Sequence, residues 1–254
     1  MEKAYDCVSW NFLEETLVLF GFSPTTIRLI MFCVTSASTR ILWNGEPIEP
    51  IAHSRGLRQG CPLSPYLFVL CIERLSYLIQ ESVTRKDWTP IQICKSGPLI
   101  SHVFFADDLL LMGIATKKNA NANVMKKILN VFCGASGLKL SLPKSKVYFS
   151  NPGSHGLKRE VCHILGFGQT SYLGRYLGVN LTHGRLKAED FRDLIDRVVA
   201  RLAGWKSKLL SLAGRNTLIQ SVTAAMPSHI MSNSPLPKSI CNHLDKLNRQ
   251  FLHY

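Results

Sequence analysis

The chain has 254 residues, of which 46% are hydrophobic and 19% are charged, so it can bury a core and does not have a disordered composition. Its formal net charge of +13 indicates a polyanionic partner, either a nucleic acid or an acidic membrane surface. No apolar run reaches membrane-spanning length and no signal peptide is visible, so we expect an intracellular protein, nuclear or cytoplasmic. The eight cysteines contain no C-x-x-C pair, which favours buried free thiols over a disulfide framework or a zinc site.

The first sixty residues predict two helices and a hairpin. Ser9 is suited to cap a helix that begins at Trp10, and Ser23-Pro24 is suited to begin a second helix. Asn44-Gly45 then separates two β-prone runs, 39–43 and 48–52. This pattern is typical of a two-stranded hairpin.

A glycine- and proline-rich word, RGLRQGCPLSP, occupies residues 55–65. Glycine lets a backbone approach a ligand closely, and the prolines stiffen the entry to a helix. The start of a helix offers free N–H groups and a positive dipole end to a phosphate group. The helix is expected to run at least to Ile79, because apolar residues recur there at spacings of three and four.

Two adjacent carboxylates, Asp107 and Asp108, interrupt the apolar run 103–112. Ionised carboxylates are unfavourable beside buried surface unless something pairs with them, so a strand–turn–strand is predicted. The strands would be residues 103–106 and 109–112, with the Asp pair in the turn. A pair at a hairpin tip suits a hard divalent cation held by oxygen ligands, although Asp-Asp is also common in plain turns.

The tetrad Phe105-Ala106-Asp107-Asp108 resembles the catalytic box of reverse transcriptases, in particular those of plant non-LTR retrotransposons of the long interspersed element type. The resemblance implies two-metal nucleotidyl transfer onto a primer 3′-hydroxyl, with Asp107 and Asp108 as magnesium ligands. It also implies that Phe105 and Ala106 lie at the nucleotide and the template.

Two earlier segments resemble further boxes of this family. Residues 3–8, KAYDCV, match the pattern Asp-x-x-Lys-Ala-Tyr/Phe-Asp-x-Val, but its leading Asp would lie one position before Met1. That Asp is a metal ligand in the family, so the resemblance implies a two-metal Mg²⁺ site with one ligand missing from this chain. Tyr5 falls where the family has an aromatic residue beside the incoming sugar. In the word at 55–65, the residues expected to contact template–primer and nucleotide are Arg58, Gln59 and Gly60.

Two later segments resemble the fourth box and the primer grip. Residues 137–145 match the fourth box at four positions, with Ser141 where Asn is usual. The resemblance implies that Lys144 meets the triphosphate and protonates the leaving pyrophosphate. The hairpin that grips the primer strand is expected at Tyr176, Leu177 and Gly178.

The expected fold class is α+β, with a polymerase palm over residues 1–180 and an all-helical thumb over residues 181–254. The palm would be an antiparallel sheet with packed helices, and the fingers would be mostly missing. A palm helix is expected over 117–136, ended by Gly137.

Three thumb helices are expected, over residues 185–209, 216–225 and 237–254. The first carries an apolar stripe from Phe191 to Leu209 that includes Trp205. Its opposite face holds Arg192, Arg197, Arg201, Lys206 and Lys208. Residues 139–215 hold 14 Lys and Arg against 5 Asp and Glu, a net +9, which suits a surface that tracks a duplex through its phosphates.

The resemblance implies a fragment of a retroelement RNA-directed DNA polymerase, with an RNA template, a DNA primer and deoxynucleoside triphosphates as partners and no membrane contact. Because the first-box Asp and the fingers are missing, we expect this chain to be impaired or inactive. The main alternative is a catalytically dead nucleic-acid-binding remnant with the same fold. A second alternative is an intron maturase, which shares the palm, but the motifs Lys-Ala-Tyr-Asp and Phe-Ala-Asp-Asp resemble the plant retroelement more closely. A membrane-surface protein would need an exposed amphipathic anchor.

Overall fold

The computed structural model describes residues 1–115, 120–150, 154–181, 186–204 and 209–253. The chain forms two compact units, Met1–Thr170 and Ser171–Tyr254. A hydrogen-bonded hairpin at 175–180 therefore belongs to the second unit, whereas the sequence predicts a palm that ends at residue 180. The assignment of residues 1–180 as palm and 181–254 as thumb stays a prediction.

Helices form the framework of the first unit. They are α1 (Ala4–Cys7), α2 (Trp10–Leu19), α3 (Pro24–Thr35), α4 (Ser64–Thr84), α5 (Ala120–Ser136) and α6 (His155–Leu165). The predicted start of α3 is confirmed, because Ser23 accepts a hydrogen bond from the backbone N–H of Thr26 and Pro24 follows it. Ser9 precedes α2 as predicted, although its side chain makes no capping hydrogen bond.

Helix α5 ends as predicted, at Gly137, whose φ of 77° lies in the left-handed region that glycine tolerates. Residues 117–119, where the sequence predicts the start of this helix, lie outside the described residues. Within the described part of the chain, no helix combines the length and the apolar composition that a membrane crossing requires.

The core of the first unit lies where α2, α4 and α5 pack together. Its largest fully buried side chains include Leu13, Leu17, Phe68, Leu75, Ile79, Trp88 and Phe132. Burial of each such side chain stabilises the fold by roughly 1.5–3 kcal/mol before the entropy of ordering is subtracted. Trp88 also donates its indole N–H to the carbonyl oxygen of Met112 at 2.8 Å. The core is thereby tied to the chain just after the Asp pair.

Strands of the first unit pair two at a time. The antiparallel pairs are β1 (Ser38–Thr39) with β4 (Ile51–Ala52), β2 (Leu42–Trp43) with β3 (Glu46–Pro47), β5 (Ile91–Gln92) with β6 (Leu99–Ile100), and β7 (His102–Phe105) with β8 (Asp108–Leu111). The hairpin predicted around Asn44-Gly45 is confirmed. Both turn residues have positive φ, 51° and 88°, as this two-residue turn requires.

The antiparallel sheet that the sequence predicts is present, among the described residues, as separate two-stranded pairs, and its assignment to a polymerase palm stays a prediction. The strands of the hairpin over 38–52 are exposed throughout and pair only with each other, and their apolar side chains, Leu42, Trp43 and Ile51, face solvent. In addition, β9 (Lys146–Tyr148) and β10 (Gly168–Thr170) run parallel, joined through α6. The chain is nonetheless a mixture of helices and small sheets.

The second unit begins with a hairpin and continues as helices. Among its described residues the elements are β11 (Arg175–Tyr176), β12 (Val179–Asn180), a 3₁₀ turn (Ala188–Phe191), α7 (Arg192–Leu202), α8 (Leu212–Leu218), a π-helical turn (Ile219–Thr223), α9 (Ser228–Met231) and α10 (Lys238–Leu252). The core of this unit consists of Phe191, Leu194, Val198, Leu202, Ile240 and Leu244.

The predicted apolar stripe is confirmed at Phe191, Leu194, Val198 and Leu202, whereas Val199 is exposed and the prediction is wrong at its end. Helix α7 stops at Leu202, and the Leu209 side chain is 78% exposed, so it does not continue the buried stripe. Trp205, Lys206 and Lys208 lie outside the described residues.

The other two predicted helices of this unit differ from the structure mainly at their ends. Helix α8 begins before the predicted residue 216, because Ser211 accepts a hydrogen bond from the backbone N–H of Gly214. It passes into the π-helical turn instead of continuing as α-helix to residue 225. Helix α10 follows Pro237, as predicted.

The cysteines are less buried than predicted. All eight are free thiols, but only Cys71 is buried, and Cys33 and Cys94 are exposed. Burial raises the pKa of Cys71 to about 12. Cys33 follows Phe32, whose side chain is itself 69% exposed, so an apolar sequence context did not mean burial on α3.

Candidate active site

The Asp pair lies at the tip of a tight hairpin. Strands β7 and β8 are antiparallel, and Phe105 lies opposite Asp108. The two-residue turn is therefore Ala106-Asp107, one residue earlier than predicted, and Asp108 is the first residue of β8. Ala106 has a φ of 49°, in the left-handed region that this turn requires. Asp107 is half-buried and Asp108 is exposed.

Both carboxylates are available to a ligand. Neither Asp107 nor Asp108 forms a side-chain hydrogen bond or an ion pair with any residue that the structure describes. Mg²⁺ prefers such oxygen donors and usually takes one or two carboxylates, with waters and substrate phosphates completing its shell. The described residues contain no group of three or more His, Cys, Asp or Glu that could hold a metal ion. This donor set fits a magnesium ion shared with a substrate better than a closed protein site.

His102 fixes the base of this hairpin. Its Nε2 lies 2.8 Å from the hydroxyl of Ser76 on α4, and its Nδ1 lies 2.9 Å from the hydroxyl of Ser101. The ring also packs on Phe104, with centroids 4.7 Å apart. Partial burial lowers the pKa of His102, and the negative charge of Glu73 opposes that shift. The folded state therefore favours the neutral imidazole.

We expect the free energy of unfolding to decrease as the pH falls through the ordinary histidine range. Because the pKa of His102 lies below the usual value of 6.5 in the folded chain, the unfolded chain binds more protons there. The contribution is fully present above that value and is lost as the pH falls toward the folded pKa. Urea unfolding between about pH 5 and pH 8 measures it.

The matched variants are His102→Gln, which should flatten this part of the curve, and His155→Gln, which alters an exposed residue of α6 and should not. Equal flattening in both variants would contradict the assignment to His102.

Residues 1–9 contact the catalytic box at 105–108 and the start of the fourth box at 137–145 through the backbone. The amino group of Met1 donates a hydrogen bond to the carbonyl oxygen of Asp107 at 2.8 Å. The backbone N–H of Glu2 donates to the carbonyl oxygen of Lys139, also at 2.8 Å. A residue joined to the Met1 nitrogen would therefore stand beside the Asp pair.

The end of this first segment lies directly against the Gly137 turn. The backbone N–H of Ser9 donates to the carbonyl oxygen of Ser136 at 2.8 Å. A Cβ placed on Gly137 would lie 2.7 Å from the carbonyl oxygen of Cys7. Only glycine permits this approach, which agrees with the predicted importance of the Gly137 position.

The word at 55–65 is held against the same first segment. Leu57 donates its backbone N–H to the carbonyl oxygen of Tyr5 at 2.6 Å, and Gly56 donates to that of Val8 at 2.7 Å. Gly56 has a φ of 90°, and a Cβ there would lie 2.8 Å from the carbonyl oxygen of Asp6. The other three boxes, distant in sequence, thus contact the segment 1–9, which contains the first box.

Tyr5 is half-buried and stacks on Phe68 of α4, with ring centroids 4.8 Å apart and planes 17° apart. Stacking of this kind fixes the ring orientation. Phe105 at the end of β7 is 59% exposed, so its ring faces solvent beside the Asp pair.

Arg58, Gln59 and Gly60 are exposed, as groups that meet a ligand must be. The side-chain nitrogen of Gln59 donates to the Asp6 carboxylate at 3.2 Å. The sequence assigned no role to Asp6, because a contact across 53 residues leaves no local signal. Gly60 has a φ of 82° and open space where a Cβ would lie.

Cys61 is a second feature that sequence reasoning missed. A hydrogen bond from the Leu63 backbone is the main cause that lowers the pKa of the Cys61 thiol. Hydrogen bonds from Ser64 and Arg58 add to it, and burial opposes them. The donors that favour a thiolate here, at the entry to α4, would also favour a phosphate oxygen.

Lys144 is exposed and lies in a turn in which its backbone N–H donates to the carbonyl oxygen of Ser141 at 3.2 Å. The Ser145 hydroxyl donates to the same oxygen at 2.8 Å. Lys144 forms no ion pair with any described residue, so its amino group is available. Its predicted contact with a triphosphate stays a prediction.

Tyr176, Leu177 and Gly178 form the tip of the hairpin in the second unit. Leu177 and Gly178 are its turn residues, with φ of 52° and 80°. A side chain at Gly178 would meet His229 of α9 at 3.4 Å. The structure therefore confirms a hairpin at this word, whereas its grip on a primer stays a prediction.

An ion-pair network attaches this hairpin to α7. Arg175 donates to Asp193 at 2.6 Å, and Arg197 donates to the same carboxylate at 3.3 Å. Asn180, on the other strand, donates its side-chain N–H to the carbonyl oxygen of Asp190 at 2.9 Å. One strand is thereby anchored to the start of α7, and the other to the 3₁₀ turn that precedes it.

Replacement of Asp193 by alanine should loosen the hairpin more than it destabilises the unit. Because Arg175 and Asp193 are about half exposed, we expect a loss of under about 1 kcal/mol. Hydrogen exchange at the backbone N–H of Leu181, which donates to Gly174 at 2.9 Å, should become faster. Glu81→Ala breaks a comparable ion pair within α4 and should leave that exchange unchanged. Unchanged exchange in Asp193→Ala would contradict the anchoring role.

Residues 1–181 match a protein family described as reverse transcriptase (RNA-dependent DNA polymerase). The matched range contains all four boxes, together with the hairpin at 175–180.

Three relatives illustrate the similarity. The uncharacterized 149 kDa protein of transposon TX1 from Xenopus laevis is 28% identical over 235 residues, 88% of this chain and 17% of that protein. The retrovirus-related Pol polyprotein of the type-2 retrotransposable element R2DM from Drosophila melanogaster is 25% identical over 269 residues, 99% of this chain and 23% of that protein. An uncharacterized mitochondrial protein of Arabidopsis thaliana is 48% identical over 65 residues, 26% of this chain and 53% of that protein. The chain thus spans less than a quarter of the first two relatives.

Proposed function

Because this chain belongs to the reverse transcriptase (RNA-dependent DNA polymerase) family, we propose that it is the palm-and-thumb fragment of a retroelement RNA-directed DNA polymerase. The observation that supports this most is the contact of three boxes with residues 1–9, which contain the fourth, through backbone hydrogen bonds of 2.6–2.8 Å. A polymerase site needs carboxylates, a nucleotide-binding loop and a phosphate-binding lysine near one another. A shared first segment is a direct way to bring them together.

Asp107 and Asp108 would hold magnesium, which when bound stabilises the negative charge that develops on the transferred phosphoryl group. Lys144 would protonate the leaving pyrophosphate. The stacked Tyr5 ring would lie beside the incoming sugar, with Phe105 and Ala106 at the nucleotide and template. Arg58, Gln59 and Gly60 would meet the template–primer and the nucleotide, and Tyr176, Leu177 and Gly178 the primer.

The third carboxylate of the family would come from the position before Met1. The 2.8 Å hydrogen bond from Met1 to the Asp107 carbonyl supports this, since the preceding residue would stand next to the Asp pair. With two carboxylates instead of three the primer hydroxyl would be poorly activated, so we propose that residues 1–254, tested alone, extend a primer poorly.

The proposed partners are an RNA template, a DNA primer and deoxynucleoside triphosphates, in an intracellular compartment. The proposed source is a plant non-LTR element, and a match to an Arabidopsis protein supports it. The basic residues 139–215, with a net charge of +9, would contact duplex phosphates.

Primer extension on an RNA template with magnesium tests this proposal. One form is the 254-residue chain, and the other is extended upstream by the family Asp and the fingers. We expect the extended form to add deoxynucleotides to the primer and the 254-residue chain to add few or none. An inactive extended form that folds would contradict the proposal.

A nucleic-acid-binding remnant is the second candidate. It is supported by the net charge of +9 over residues 139–215, which suits duplex binding without any chemistry. This candidate predicts duplex binding with a steep salt dependence and no extension by either form. The same preparations therefore decide between the two.

A further inference from the structure

Asp6 lies beside Gln59, and we propose that it is a positioning residue that fixes the orientation of the Gln59 amide. This inference rests on the proposed function, because Gln59 is one of the residues expected at the nucleotide. The family pattern gives this second Asp no metal-binding role, and the structure suggests a different one.

The orientation follows from hydrogen-bond chemistry. An ionised carboxylate only accepts hydrogen bonds, whereas a glutamine amide has an NH₂ donor and an oxygen acceptor. The contact of 3.2 Å to the Asp6 carboxylate is therefore made by the Gln59 nitrogen. The amide oxygen is left free to accept a hydrogen bond from a donor group of a bound nucleotide or template.

The backbones on both sides of this contact are fixed, which makes the orientation specific. The two hydrogen bonds from Leu57 to Tyr5 and from Gly56 to Val8 lie within three residues of Gln59 and two of Asp6. The Asp6 backbone N–H also donates to the carbonyl oxygen of Lys3 at 3.0 Å. Because Asp6 forms no ion pair with a described residue, its carboxylate is not held by a competing cation.

Replacement of Asp6 by asparagine would no longer fix the orientation of the Gln59 amide. The asparagine amide can either accept from the Gln59 nitrogen or donate to the Gln59 oxygen, so both orientations of Gln59 become accessible. The oxygen would face a ligand only part of the time. Substrate binding should weaken, while the chemistry at the Asp pair should not change.

NMR on the 254-residue chain tests the orientation of the Gln59 amide, and it requires no polymerase activity. The Gln59 side-chain NH₂ signals are identified by their loss in Gln59→Glu. Asp6→Asn and Asp6→Ala should both shift these signals, and Asp87→Asn, on an exposed carboxylate of the same unit, should not. Unchanged Gln59 signals in a folded Asp6→Asn or Asp6→Ala chain would overturn the proposal.

Kinetics on the upstream-extended form test the consequence. We expect Asp6→Asn to raise KM for the deoxynucleotide about twofold, because roughly half of the molecules would then present the Gln59 oxygen, with kcat nearly unchanged. A merely structural role would instead lower the folded fraction and leave KM unaltered. An unchanged KM together with shifted Gln59 signals would overturn the role in nucleotide binding. An extended wild-type form with no activity would refute the proposed function, while the NMR result would still decide the orientation.

Discussion

Replacement of Asp107 by asparagine in the upstream-extended chain should slow nucleotide addition on the order of 10³-fold and leave folding and duplex binding nearly unchanged. A bound divalent cation contributes several kcal/mol of charge stabilisation, and each 1.36 kcal/mol corresponds to about a factor of ten in rate. Folding should tolerate the change, because the Asp107 carboxylate has no hydrogen bond or ion pair with a described residue. Single-turnover primer extension and fluorescence anisotropy with a labelled duplex measure the two effects.

Asp108→Asn should have a similar effect, since the carboxylate of this exposed residue also forms no hydrogen bond or ion pair with a described residue. Asp87→Asn is the matched control, because it removes one exposed carboxylate from the same unit without touching the hairpin. If Asp107→Asn kept its rate within about threefold of wild type, the Asp pair would be a plain turn and not a metal site.

The parts of the fold that were predicted correctly depend on the backbone preferences of single residues or residue pairs. Asn44-Gly45 permits the positive φ of its turn, Ser23-Pro24 satisfies the start of α3, and Gly137 ends α5. In each case the residue type restricts the backbone itself, so no tertiary contact was needed to read it.

The register of the Asp hairpin shows where such signals end. Apolar residues lie on both sides of the Asp pair, so the pattern alone does not distinguish an Asp-Asp turn from an Ala-Asp turn. Cross-strand pairing decides it, with His102 opposite Leu111 at one end and Phe105 opposite Asp108 at the other. The positive φ of Ala106 is imposed by this pairing, because alanine does not favour it.

The sequence predicted which segments form the candidate site, but it did not predict the contacts between them. Its boxes were recognised by resemblance, whereas the hydrogen bond from Gln59 to Asp6 and that from Met1 to Asp107 span 53 and 106 residues. The parallel pairing of β9 with β10 was not predicted either. These three-residue strands are brought together by the crossover helix between them, so neither strand carries a local signal of its partner.

Replacement of Gly56 by alanine should destabilise the first unit by roughly 2–5 kcal/mol and lower primer extension by the extended form. About 1–2 kcal/mol comes from the φ of 90°, which a residue with a Cβ rarely adopts. A further 1–3 kcal/mol or so comes from overpacking, because the Cβ would lie 2.8 Å from the Asp6 carbonyl oxygen. That oxygen belongs to the backbone, so it cannot move aside as a flexible side chain would.

The control is Gly21→Ala, which has a φ of 76° but no atom within 4 Å of the added Cβ, so it isolates the backbone strain. Urea unfolding of both variants gives the difference, which is the contribution of close approach between residues 55–65 and residues 1–9. Relaxation of Gly56→Ala would also disturb the Trp10 indole, which donates to the Gly56 carbonyl oxygen at 2.8 Å, and its fluorescence provides a local signal. Equal losses in both variants would mean that the word at 55–65 is not held against the first segment. The meeting of boxes that supports the proposed polymerase site would then lose its main contact.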